Sequence, residues 1–410
     1  MRHRSLLILT AVLTTGALTL TACGSRDDSN NSSGGDGTTT VVIGLDAPLT
    51  GDLSALGLGI KNSADLAVKQ ANEKKYVEGV TFKIQALDDQ AQPSSGQQNA
   101  SKLVANKDVL GVVGPLNSSV GESMQKVLAD AKLVQVSPAN TSPSLTQGQK
   151  WNEGTKERPF ASYFRTSTTD AVQGPFAAQY LFNDAKKKNV FVIDDKKTYG
   201  AGLAGTFKAE FQKLGGKIAG TQHIDPETKD FSSVATQVKS SGADVVYYGG
   251  EYPAAGPLSK QIKKAGAKIP VVGGDGIYSG EYIKLSGAEG VGDLATSVGA
   301  PIDTLPSAKE FVANYEKAGY KEPFEAYGGY SYDAAWSIIE AVKAVVEGND
   351  GKLPSDARAQ VAEAVGKVDF EGVTGKVSFD EFGDTTNKQL TVYEYKDGDW
   401  VAVKSGELTS

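Results

Sequence analysis

Two acids, two hydroxyl-bearing loops and one phenol are the groups in this chain best placed to do chemistry. Asn117-Ser118-Ser119 stands just ahead of an amphipathic stretch. Its hydroxyls and the first free N–H groups of a helix would suit an anion such as a carboxylate. Ser137-Pro138-Ala139-Asn140-Thr141 offers a turn, exposed backbone groups and another hydroxyl. Asp275, between Gly274 and Gly276, and Glu251, after Tyr247-Tyr248-Gly249-Gly250, offer acceptors for an ammonium. Tyr199 reads either as a core residue or, because it follows the polar run Asp194 to Thr198, as an exposed phenol. Donors on one set of loops and acceptors on another complement a zwitterion whose two charges share one carbon. Buried charges need such partners, because leaving them unpaired is costly. Each residue also has a plainer role as a helix cap, a turn-forming Asp or a first-turn charge.

Other chemistry is hard to build here. The chain has two histidines, His3 and His223, and one cysteine, Cys23. Ser-His-Asp, Cys-His and His/Cys zinc sites therefore have one candidate residue or none. Carboxylate-based hydrolysis is left, with Asp275 and Glu251 as its only obvious pair. Gly200-Ala201-Gly202-Leu203-Ala204-Gly205 fits a dinucleotide fingerprint, but a polar stretch separates it from the preceding strand. Its glycines read better as close helix packing. Ser123-Met124-Gln125-Lys126 fits the pattern of a serine acyl-enzyme, but its companion motifs are missing and it falls within a helix. No cofactor or metal site is expected. A net charge of −7 argues against a nucleic-acid partner.

Arg2 and Arg4 precede an apolar run from Leu6 to Leu20, the pattern of a secretory signal peptide over residues 1–22. Leu20-Thr21-Ala22-Cys23 resembles the bacterial lipobox, which makes Cys23 the expected lipidation site and the mature protein extracytoplasmic on a lipid anchor. Residues 23–40 are rich in Ser, Gly, Asn and Asp and read as a flexible tether.

The elements that must position the loops follow from Val41 onward. Val41–Leu45, Val80–Leu87, Val109–Val113 and Leu133–Val136 read as strands. Helical spacing lies between them, as in Ile60, Ala64, Ala67, Val68 and Ala71. After a polar interruption the rhythm resumes, with strands at Asn189–Ile193, Lys217–Ile224, Val245–Tyr248 and Pro270–Gly273 and helices starting near Gly200, Phe231 and Ala254. Helices follow at Pro306–Ala318, Tyr330–Val346 and Ser355–Val365, then short antiparallel strands at Val377–Phe379, Leu390–Tyr395 and Trp400–Val403. The fold class is α/β, with two doubly wound parallel sheets in tandem. In such sheets, ligands bind beyond the carboxyl ends of the strands, where the loops above lie.

The segments Gly44 to Gly51, Asp88-Asp89, Val136 to Thr141, Phe164-Arg165-Thr166, Asp225 to Phe231 and Val246 to Gly250 resemble the leucine/isoleucine/valine-binding proteins of ABC importers, of type I periplasmic-binding-protein fold. The resemblance implies two lobes, residues 41–168 plus 300–376 and 169–299 plus 377–408, joined by three hinge crossovers. It also implies a monomer that takes one amino acid and delivers it to ABC permease subunits. The ligand carboxylate would meet Ser118 and the Thr141 backbone. The ammonium would meet the Ala139 carbonyl, the Thr141 hydroxyl and Asp275, with Asn140 in the same loop. Tyr199 would close over the polar head, and Leu56 would line the side-chain pocket. Asp275 stands where the family often has Glu, and Glu251 where several members are aromatic. A second acid there leaves a basic amino acid, a short amide or urea as an alternative ligand, and ligand sensing as an alternative role. Residues 147–159 look inserted.

Overall fold

The computed structural model describes residues 38–409. The expected signal segment, Cys23 and the tether up to residue 37 lie outside the described residues. Strand structure begins at Thr39, two residues before the expected strand start at Val41.

The first sheet contains β1 (Thr39–Ala47), β2 (Val80–Asp88), β3 (Val109–Val113), β4 (Val134–Ser137) and β5 (Tyr163–Arg165). All are parallel, in the order β2-β1-β3-β4-β5. The second sheet starts with β6 (Asn189–Asp194), β7 (Lys217–His223), β8 (Val245–Gly249), β9 (Val271–Gly273) and β10 (Leu294–Val298). The chain then returns to the first sheet, where the helix Gly328–Glu347 packs on β3 and β4. A small antiparallel pair follows, β11 (Asp369–Gly372) with β12 (Gly375–Ser378). The chain ends in β13 (Leu390–Lys396) and β14 (Asp399–Gly406), antiparallel across the tight turn Asp397-Gly398. They complete the second sheet in the order β14-β13-β10-β9-β8-β6-β7. The stretch at Val377 is antiparallel as expected, but its partner is β11 rather than the terminal hairpin.

Alternation along β1 explains why its run is apolar throughout. Val41, Ile43 and Leu45 enter the large core, while Val42 joins the core on the opposite face with Leu103, Val112, Val120 and Met124. Successive side chains point to opposite faces, so a strand covered by helices on both sides carries apolar residues at every position.

Three connections join the sheets, and they are hydrogen-bonded to one another. The Thr166 hydroxyl donates to Tyr330 O at 3.0 Å, and the Gly299 N–H to Gln389 O at 2.7 Å. Gly299 has φ of 91°, and a Cβ there would lie 1.7 Å from the Tyr330 hydroxyl. No other residue fits that position.

Candidate functional site

Every loop singled out from the sequence leaves the carboxyl end of a strand, and several meet between the two sheets. A cavity of about 20 Å³, room for roughly one water, is walled on one side by Leu56, Leu116, Asn117, Ser118, Ala139 and Tyr327. Tyr199, Glu251 and Gly276 form the other side. Ser118 opens the helix Ser118–Asp130, with Asn117 as its N-cap. The Asn117 side chain does not cap that helix; it donates from Nδ2 to Glu251 Oε1 across the cavity. Glu251 Oε2 also lies 3.3 Å from Lys197 Nζ. Glu251 is therefore held between the two sheets, with its side chain only 12% exposed.

Asp275 follows β9 and is fully buried. Its Oδ1 accepts from Gln173 Nε2 at 3.0 Å and from the Tyr199 hydroxyl at 2.8 Å, while its Oδ2 accepts from the Tyr327 hydroxyl at 2.9 Å. Tyr199 is thus buried on this carboxylate, not exposed as its polar neighbours suggest. Burial raises the pKa of Asp275, and its three donors only partly offset that. The next acid, Asp170, is linked through Gln173, whose Nε2 also donates to Asp170 Oδ1 at 3.2 Å. Burial raises Asp170 well above the ordinary carboxylate range, and the Asp275 charge adds to the effect. Two neighbouring carboxylates are thus held with neutral donors alone, an arrangement that a single ammonium would relieve.

Thr141 Oγ1 and Asn117 Oδ1 are buried without a hydrogen-bond partner among the described residues. The Thr141 carbonyl accepts from Asp170 N at 2.8 Å, tying its loop to the first connection between sheets. Asn140 does not line the cavity. Its Nδ2 donates to Leu116 O at 2.8 Å and to Pro115 O at 3.2 Å, and its Oδ1 accepts from the Tyr163 hydroxyl at 2.9 Å. It clamps its own loop to the one that carries Pro115 and Leu116. His223, at 54% side-chain exposure, bonds Asp194 at 2.7 Å, away from these groups. Of the fingerprint glycines, only Gly200 packs closely, since a Cβ there would meet Gly249 O at 2.5 Å.

Sequence reasoning missed the residue that shapes the Ala139–Ser142 loop. Arg165 at the end of β5 is fully buried. Its Nη1 donates to Asn140 O and Ser142 O, both at 2.9 Å, its Nη2 to the Thr146 hydroxyl, and its Nε to Asp384 at 2.7 Å. Phe164-Arg165-Thr166 stood out only as a segment of the family resemblance, and an arginine in an otherwise apolar, strand-like triplet was the one physical hint of its role. Tyr327 and Gln173 gave no local signal at all.

Acidic groups around this cleft set a pH dependence. Burial pushes Asp89 to about 6, Asp195 to about 7 and, beneath the Val373–Thr374 turn, Asp333 to about 6. Their ordinary value is 3.8. A raised folded value means that the native state binds more protons between 3.8 and 6 to 7. The stabilisation is fully present below 3.8 and is lost as pH rises through the folded values. Melting temperature should therefore be higher at pH 5 than at pH 8 at constant ionic strength. A higher value at pH 8 would show that these acids ionise normally.

The chain matches the family model described as periplasmic binding protein over residues 40–399. It belongs to this family. This binding protein is 34% identical over 358 residues to Leu/Ile/Val-binding protein homolog 1 of Brucella suis biovar 1, an alignment covering 87% of this chain and 91% of the relative. A leucine-binding protein from Thermotoga maritima superposes with a TM-score of 0.78 at 26% identity, covering 89% of this chain and 98% of that one. The branched-chain amino acid transporter substrate-binding protein of Streptococcus pneumoniae, solved with isoleucine, gives 0.78 at 24% identity, covering 90% and 100%. The latter shows the shared fold. The periplasmic binding protein thus has the α/β, parallel-sheet architecture expected from its strand rhythm.

Proposed function

We propose that this binding protein is the lipid-anchored, extracytoplasmic solute-binding subunit of an ABC importer. It captures an α-amino acid with a branched or other aliphatic side chain and presents it to the permease as a monomer. Its lobes would be residues 41–168 plus 300–376 and 169–299 plus 377–408, with Cys23 carrying the lipid. The carrying observation is the buried Asp275, held by the neutral donors Gln173, Tyr199 and Tyr327, two of which, Tyr199 and Tyr327, also line the cavity with Ser118. The ligand ammonium would take Asp275, the Ala139 carbonyl and the unpartnered Thr141 hydroxyl. Its carboxylate would take Ser118 and the Thr141 backbone N–H. Leu56 and Leu116 suit an aliphatic side chain, as do the ligands named for the relatives. Binding is non-covalent, and closure is a population shift driven by contacts to both lobes.

Glu251 favours a second reading, in which the ligand is a basic amino acid or a short amide. It lines the cavity beside the unpartnered Asn117 Oδ1. Titration of Glu251→Gln with leucine and with lysine separates the readings. The aliphatic reading expects leucine affinity within about threefold of wild type, since the bond to Asn117 can persist. A selective loss of lysine binding of about tenfold or more would establish the second reading.

A further inference from the structure

A second crevice, about 440 Å³ in volume, lies between the same two halves of the molecule and shares no lining residue with the ligand cleft. Tyr278, Tyr393 and Trp400 come from the second-sheet side and Phe324 and Tyr330 from the first. The Tyr278 and Tyr393 rings are stacked at 4.2 Å, and Trp400 Nε1 is anchored to Ser279 O at 3.0 Å, so this wall is rigid. Two carboxylates, Glu325 and Asp399, also line the space, and none of the lining residues is basic. The nearby Lys284 is engaged by Glu281 at 2.6 Å, and Glu325 forms no salt bridge among the described residues. Burial raises the Glu325 pKa, and the Ser279 hydroxyl, the Gly280 N–H and the charge of Lys284 only partly offset it. The Glu325 backbone has φ of 53°, in the left-handed region that a side chain disfavours. Strain of this kind persists where the surroundings over-determine a residue.

Aromatic side chains beside a carboxylate that forms no salt bridge make an environment suited to organic cations. A volume of this size suits a small molecule. We propose that this crevice is a second ligand site, taking a small organic cation of the quaternary or alkylated ammonium class. Its walls come from both halves, so occupancy is coupled to their relative angle and hence to binding in the cleft.

The test is titration of the purified protein with choline and with its neutral isostere, 3,3-dimethylbutan-1-ol, read by calorimetry and by intrinsic fluorescence, to which Trp400 contributes with Trp151 and Trp336. Choline should bind saturably and the isostere at least about tenfold more weakly. Glu325→Gln should abolish that preference. Glu325→Gly removes the carboxylate and relieves the positive φ, so it should lose choline while melting no lower than wild type, which separates a binding defect from a folding one. Equal binding of choline and the isostere, unchanged choline affinity in Glu325→Gln, or no saturable choline binding would each overturn the proposal.

Discussion

Asp275→Asn should cost this binding protein about 100-fold or more in amino-acid affinity while leaving it folded. The carboxylate is fully buried and has donors but no cation, so the ligand ammonium would be its first opposite charge. Removing one partner of a buried, hydrogen-bonded charge pair costs about 2 to 5 kcal/mol. The asparagine keeps the shape and can still accept from Tyr199, but its amide NH2 faces either the Tyr327 hydroxyl or the ammonium. Because burial destabilises the native carboxylate, the variant should melt at or above the wild-type temperature without ligand. Calorimetry and melting curves on the same preparations check both halves. Affinity within tenfold of wild type would place the ammonium elsewhere.

Arg165→Met should be the most destabilising single change at the site. It leaves Asp384 buried and opposite no charge, which costs about 3 to 5 kcal/mol. It also frees the carbonyls of Asn140 and Ser142, which Arg165 now holds at 2.9 Å. Asp384 is the one buried acid here whose pKa is depressed, since Arg165 and hydrogen bonds outweigh its burial. In the variant that depression is lost, so the deficit should shrink as pH falls and Asp384 becomes protonated. The double variant Arg165→Met/Asp384→Leu should regain much of the loss, because an apolar pair avoids the stranded charge. Urea denaturation of the three proteins at pH 7.5 and pH 5 measures this. A single-variant loss below about 1 kcal/mol would assign Arg165 no structural weight.

Elements were legible in the sequence where burial on both faces demanded an unbroken apolar run. β1, β3, β6 and β8 are of that kind. β10 is not, because Leu294-Ala295-Thr296-Ser297-Val298 interrupts its apolar pattern, and Thr296 spends its hydroxyl on Gln173 at 2.9 Å. β5 spans only three residues. The helix Asp170–Gln179 carries Gly174 and Pro175, which mask its period. The loops around the cavity were legible because they leave strands whose direction the rhythm sets. Their supports were not, since each arrives from far along the chain. Tyr327 is 52 residues from Asp275, Gln173 is 102 away, and Arg165 pairs with Asp384 across 219. The sequence left Tyr199 open between core and surface for the same reason, because its partner is a distant carboxylate and not its polar neighbours.

The central claim is that one buried site recognises both charges of an α-amino acid. Calorimetry tests it directly, using protein refolded from denaturant to strip bound solute. The titrants are the twenty amino acids, led by leucine, isoleucine and valine, together with 4-methylpentanoate and isoamylamine, which each keep only one of leucine's charges. A branched-chain amino acid should bind at one site per chain, with both single-charge analogues about 100-fold weaker or worse. Failure of every amino acid to bind, or 4-methylpentanoate binding as tightly as leucine, would contradict it.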